Sequence, residues 1–239
     1  MAITTTLPTT PRIAATGHGA SHARDNSGLL ARLEKRTLIW LAHRLPRRMH
    51  SDHLSAIGLL GMMGVGAAFA AGGTYTWALP LVVVALAVNW FGDSLDGTLA
   101  RVRNHQRPRY GYYVDHALDI FGTTFLFAGM AIGGWMSPVV AMALLAAYVA
   151  VMAEVFLATA VRGVFKMSFM GFGPTELRVV LGIGALALMR NPQVHVGPLG
   201  TFPLFDVGGV VATLGLAAAF LVSAVQNGRA LYREEPLPR

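Results

Sequence analysis

The chain has 239 residues, of which 54% are hydrophobic and only 13% charged. A soluble domain carries about 25% charged residues, so this composition excludes one and indicates a polytopic membrane protein with apolar blocks of about 20 residues. The absence of cysteine excludes disulfides and thiolate-ligated zinc or iron–sulfur centres. The net charge of +7 is that of loops facing anionic membrane lipids, with no nucleic acid expected as a partner.

Residues 1–27 are rich in Thr, Ser, Gly, Ala and Pro and lack the continuous apolar stretch of a secretory signal, so they read as a disordered tail. In residues 28–49, Leu29, Leu30, Leu33, Leu38, Trp40 and Leu41 interleave with Arg32, Lys35, Arg36 and Arg44. That pattern predicts a basic amphipathic helix on the membrane surface, ended by Pro46. Residues 50–228 hold six expected transmembrane spans, near 54–72, 76–95, 113–134, 138–161, 176–190 and 205–226. Residues 229–239 read as a polar tail. The predicted fold class is all-α. Gly and Ala recur in the spans, as in GVGAA at 64–68, and small residues let transmembrane helices approach closely.

Lys and Arg set the orientation. Eight precede the first span. Arg101, Arg103, Arg107 and Arg109 follow the second, Arg162 and Lys166 follow the fourth, and three follow the sixth. Arg178 opens the fifth span on that same side, and the opposite side has only Arg190. The positive-inside rule places both termini and the loop between spans two and three in the cytoplasm, with the protein in the inner membrane.

Four of the twelve acidic residues lie where span two ends and span three begins, in DSLDGTLARVRNHQRPRYGYYVDHALD at 93–119. Carboxylates beside a membrane core are costly and read first as functional. Asp93 and Asp96 are three apart, and Asp115 and Asp119 four apart, so each pair shares a helix face. A tight turn brings the pairs together, and carboxylates held close repel unless protonated or neutralised by cations. Oxygen-only ligation suits Mg²⁺, Mn²⁺ or Ca²⁺. Two such ions about 4 Å apart can clamp a displacement at phosphorus. Gly97, Ala100 and Gly111 leave room for a bulky nucleotide, and Arg101 suits bidentate recognition of a diphosphate.

The order D-x2-D-G-x2-A-R followed by G-x3-D-x3-D, filled by Asp93, Asp96, Gly97, Ala100, Arg101, Gly111, Asp115 and Asp119, resembles the signature of the CDP-alcohol phosphotransferase family. Nine residues (VRNHQRPRY) separate Arg101 from Gly111, one more than the usual pattern. The six spans and the amphipathic helix also resemble the family's architecture. The resemblance implies cleavage of a CDP-linked donor, most often CDP-diacylglycerol in bacteria, transfer of its substituted phosphate to an alcohol, and release of CMP. It implies Asp93, Asp96 and Asp115 as ligands of Mg²⁺ or Mn²⁺, with two ions. It makes Asp119 the general base and a further metal contact, and Gly97, Ala100, Arg101 and Gly111 the lining of the CDP site. It also implies a homodimer.

The acceptor is less legible. Glu154 lies inside span four, two turns before Arg162, and either faces the cavity of Asp119 or makes a polar interhelical contact. Arg162, Lys166 and Arg178 suit a cytoplasmic pocket for a phosphorylated alcohol such as glycerol 3-phosphate or inositol phosphate, and equally suit plain positive-inside placement. Thr175 and Glu176 after Pro174 fit a helix start. His116 is expected to pack within its helix, and Asp206 is assigned no chemistry. Two other readings compete: an intramembrane prenyltransferase using Mg²⁺-diphosphate, and a cation transporter. The first does not need the Gly97–Ala100–Arg101 and Gly111 framework. The second places its carboxylates at the bilayer midplane.

Overall fold

The computed structural model describes residues 29–162, 174–235 and 237. The tail expected at 1–27 and Lys166 lie outside these residues. Helix α1, Leu29–Arg44, stops two residues before Pro46. Helix α2, Ser51–Gly72, starts where His50 is extended, and the His50 N–H donates to His53 Nδ1 at 3.1 Å. A short 3-10 turn at Thr76–Ala78 leads into α3, Leu79–Val102. Helix α4 covers Pro108–Ile132 and α5 Pro138–Arg162. Proline opens these helices, where its missing N–H needs no intrahelical partner. Helix α6, Pro174–Leu188, is followed by a hairpin in which β1, Gln193–His195, pairs antiparallel with β2, Thr201–Pro203. Helix α7, Leu204–Glu234, closes the chain. The Ser137 N–H donates to Asp206 Oδ1 at 2.6 Å, tying the start of α7 to that of α5.

The fold is that of an all-α membrane protein. Among the described residues, four helical stretches are long and apolar enough to cross a bilayer: Ser51–Gly72, Thr76–Val102, Pro138–Arg162 and Leu204–Glu234. The six-span expectation goes beyond them. Helix α4 has 25 residues but carries Arg109, Asp115 and Asp119, which dilute its apolar character. Helix α6 has 15, about 22 Å at 1.5 Å per residue, against a hydrocarbon core of about 30 Å. Helix α3 runs on to Val102 and α4 begins at Pro108, so the polar ends of both expected spans are still helix. Hydropathy senses lipid contact, whereas backbone hydrogen bonding continues past it.

Helix α2 is the spacer. Val65 and Phe69 are fully buried in one cluster with Leu79, Val82 and Leu86 of α3 and Leu126 and Met130 of α4. A second cluster joins Leu38 and Ala42 of α1 to Leu54, Leu95 and Leu99. Glycines bring the backbones close: a Cβ on Gly58 would sit 3.0 Å from the Asp93 nitrogen, and one on Gly92 would overlap the Gly58 and Leu54 backbone. Gly66 and Gly129 meet in the same way between α2 and α4. Gly92→Ala should therefore lower stability by about 2–3 kcal/mol, because backbone cannot move aside as a side chain can. Gly111→Ala, with nothing within 4 Å of an added Cβ, should melt with wild type. Thermal unfolding in detergent checks both, and an unshifted Gly92→Ala midpoint would contradict this contact.

Candidate metal centre

Asp93 projects from α3, and Asp115 and Asp119 project one turn apart from α4. One carboxylate oxygen from each lies within 4.8 Å of the other two, and all three residues are half-buried. Hard divalent cations bind oxygen at roughly 2.0–2.6 Å, so one ion can bridge oxygens at this separation. The donor set therefore fits such an ion. Three carboxylates this close repel one another without a cation between them.

Asp96 is held differently. Ser55 of α2 donates to its Oδ2 at 2.6 Å, and the following Gly97 N–H donates to Oδ1. It lies in the electrostatic field of Asp115 and Asp93 but outside the converging trio. Its oxygens keep lone pairs, so the Ser55 bond orients it without exhausting it.

A cation touches the trio at Asp93. Arg178 of α6 donates through Nη2 to Asp93 and through Nε to Asn89 Oδ1 at 2.7 Å. Asn89, 7% exposed, donates in turn to the Gly58 carbonyl at 2.9 Å. Tyr148 of α5 hydrogen-bonds Thr123 and lies in the field of Asp119, Asp115 and Asp93. Sequence reading did not single out Ser55 or Tyr148. No spacing marks a hydroxyl whose partner is on another helix.

The small residues sit as openings. Gly111 faces free space, and an added Cβ on Gly97 would lie 3.4 Å from Arg101 Nη1. Arg101 donates to Thr98 Oγ1 at 3.1 Å from an exposed position. Ala100 lines a cavity of about 380 Å³ with His50, Asp52, Arg103, His105 and Arg107. Arg107 pairs with Asp52 at its rim and lies 4.1 Å from the Tyr110 ring centroid. The Asp52 hydrogen bond moves the Arg107 pKa above its ordinary value. Arg103 donates to the Leu45 and Pro46 carbonyls at 2.9 and 3.0 Å, so this basic residue anchors the α1–α2 connection.

Of the residues expected around the acceptor, Glu154 and Arg162 share one cavity and Arg178 lies at the aspartate trio, while Lys166 lies outside the described residues. Glu154, 8% exposed, accepts from Ser223 and Asn227 of α7 at 2.7 Å each. Arg162 donates to Asn227 Oδ1 at 2.6 Å and approaches Glu234 at 3.6 Å. These two line a cavity of about 320 Å³ between α5 and α7, and Arg178 is not among its lining residues. Glu154 thus makes the interhelical contact that was one of its two readings. Buried His116 packs on Tyr112 and Phe156, with ring centroids 4.2 and 5.3 Å away.

Compared with known protein families, residues 49–224 match CDP-alcohol phosphatidyltransferase. The match covers most of the chain, and the chain belongs to that family. No curated protein matches it. Family membership makes it an integral membrane transferase that moves a phosphatidyl group from a CDP-alcohol to an acceptor in phospholipid synthesis, and the family uses a divalent metal. Replacing Asp93, Asp115 or Asp119 by Asn should each weaken Mn²⁺ binding by at least about 10-fold, and Ser55→Ala by less. Electron paramagnetic resonance titration of purified protein reads this out. Wild-type affinity in all three Asn variants would remove the trio as the ion site.

Proposed function

We propose that the chain transfers the phosphatidyl group of CDP-diacylglycerol to the hydroxyl of a small polar alcohol, releasing CMP. The convergence of Asp93, Asp115 and Asp119 within 4.8 Å, inside the family's motif, carries this reading. Asp96, oriented by Ser55 at 2.6 Å, completes the ligand set for two Mg²⁺ or Mn²⁺ ions. When bound, the ions withdraw charge from the diphosphate oxygens and stabilise the charge that builds on them.

The residues divide the remaining work. Asp119 accepts the proton of the acceptor hydroxyl. The freed oxygen bonds to the phosphorus that bears the diacylglycerol, the bond from that phosphorus to the bridging oxygen breaks, and CMP departs with the electron pair. Gly97, Ala100, Arg101 and Gly111 line the path of the CDP moiety, and the cavity of about 380 Å³ beside Ala100 receives the nucleoside. Arg101 is exposed and reaches the diphosphate. Arg178, next to Asp93, favours an acceptor that itself carries phosphate, such as glycerol 3-phosphate or inositol phosphate. Arg162, Lys166 and Glu154 are a second group that bears on the acceptor from α5 and the segment after it.

The active site and both termini face the cytoplasm of the inner membrane. Arg101, Arg103, Arg107 and Arg109 cluster at the same end of α3 and α4 as the aspartates, and the other end exposes Tyr75 and Trp77, side chains suited to a membrane interface. Helix α1 exposes Leu33, Ile39 and Trp40 and lies along the cytoplasmic surface. Helices α4 and α6 complete six spans, and the assembly is a homodimer.

Purified protein should release CMP only with CDP-diacylglycerol, an alcohol and Mg²⁺ or Mn²⁺. Asp119→Asn should fold and lose this turnover by about 100-fold or more. An acceptor screen scored by product mass distinguishes phosphorylated from neutral alcohols. CMP release by Asp119→Asn at the wild-type rate would sink the base assignment. Gly111→Ala, which the fold accommodates, should raise KM for the donor.

A further inference from the structure

Glu34 is an acidic side chain on a basic helix, half-buried between Leu33 and Lys35. Its Oε1 accepts two hydrogen bonds, from Trp90 Nε1 of α3 and from Thr175 Oγ1 of α6, each 2.8 Å. One oxygen thus joins three helices. Thr175 stands in the first turn of α6, and Arg178, three residues on, shares its face. Arg178 reaches back to α3, to Asp93 and Asn89. Trp90 and Asp93 are themselves three apart on α3. The bonds close a ring: Glu34 to Thr175, one turn of α6 to Arg178, across to Asp93, and one turn of α3 back to Trp90.

The ring has a mechanical consequence. The guanidinium is a rigid fork, and here its two arms meet acceptors four residues apart on α3. That geometry needs the first turn of α6 at a fixed height and rotation. Pro174 and Leu177 beside Thr175 are exposed, whereas Thr175 itself is half-buried against α1. The hydroxyl-to-carboxylate bond of Thr175 to Glu34 ties that turn to α1.

We propose that Glu34 is a positioning residue for the metal centre: by holding Thr175 it seats Arg178 against Asp93 and fixes that carboxylate toward Asp115 and Asp119. This rests on reading the trio as the ion site. The amphipathic helix α1 is then part of the frame of the active site as well as a surface anchor.

The test uses full-length protein in lipid nanodiscs, with Mn²⁺ affinity measured by electron paramagnetic resonance and turnover by CMP release. Loss of an outer partner of a metal ligand changes affinity or activity by about 10-fold or more. Glu34→Ala should therefore weaken Mn²⁺ binding about 10-fold and lower kcat with little change in KM for the donor. Glu34→Gln keeps an accepting oxygen and should restore both. Thr175→Val should reproduce the loss and Thr175→Ser should not, and this pair carries the test if Glu34→Ala aggregates. In an Arg178→Ala background, Glu34→Ala should add nothing, since both act through one path. Wild-type Mn²⁺ affinity in folded Glu34→Ala and Thr175→Val, or fully additive losses with Arg178→Ala, would overturn the proposal. Normal CMP release by those variants leaves the transferase reading intact. Absence of CMP release from wild type would defeat that reading, while the Mn²⁺ arm still decides this one.

Discussion

The close approach of α2 to α3 and α4 is the constraint on which the site depends. Gly58 meets the backbone at Asp93, Gly61 meets Asn89, and Gly66 meets Gly129. Side chains at these positions would push α3 and α4 outward from their common spacer. Asp93 would then move away from Asp115 and Asp119, which converge only because both helices lean on α2. In a bilayer, apolar surface gains little from leaving lipid for another helix, so such backbone contact and interhelical hydrogen bonds carry much of the association. The Asn89 bond to the Gly58 carbonyl, 2.9 Å long, adds a polar pin at the same level.

Charge is arranged around that scaffold in layers. The trio of aspartates is half-buried, and its repulsion is offset by the guanidinium of Arg178 on one side and by a divalent ion where one binds. Arg178 is directed by Asn89 and Asp93, and Asp96 by Ser55. Farther out, Arg103 is spent on backbone carbonyls of the α1–α2 connection, and Arg107 on Asp52. The basic residues around the end of α3 therefore differ: Arg101, in its last turn, is exposed, while Arg103 and Arg107 fasten helix ends.

Parts of this were legible residue by residue. The pairs Asp93/Asp96 and Asp115/Asp119 show their shared faces through helical spacing alone, and the Gly97–Ala100–Arg101 and Gly111 framework identifies the family. The segments at 54–72 and 138–161 show their spans by hydropathy. The segment at 113–134 was also expected as a span, but the helix there, α4, carries Arg109, Asp115 and Asp119 and is not among the four long apolar helices of the described residues. The β1–β2 hairpin, built from two three-residue strands, is too short for a pattern. The surroundings of the residues expected around the acceptor were not legible for a different reason. Arg162 and Arg178 look alike as basic residues after span four, yet one pairs with Asn227 and the other with Asp93.

By itself the sequence determined the class of protein through its composition and set four carboxylates in two pairs through local spacing, and its motif resembles one family; none of these needs knowledge of neighbours. Only the tertiary structure decided that three aspartates converge while Asp96 is bound to Ser55, that Glu154 turns to α7, and that Glu34 of α1 accepts from Thr175 of α6. Each of those partnerships joins residues at least 41 positions apart in the chain, or rests on helices brought together by α2. Contacts of that kind are set by how helices pack, and a list of side chains in order does not contain the packing.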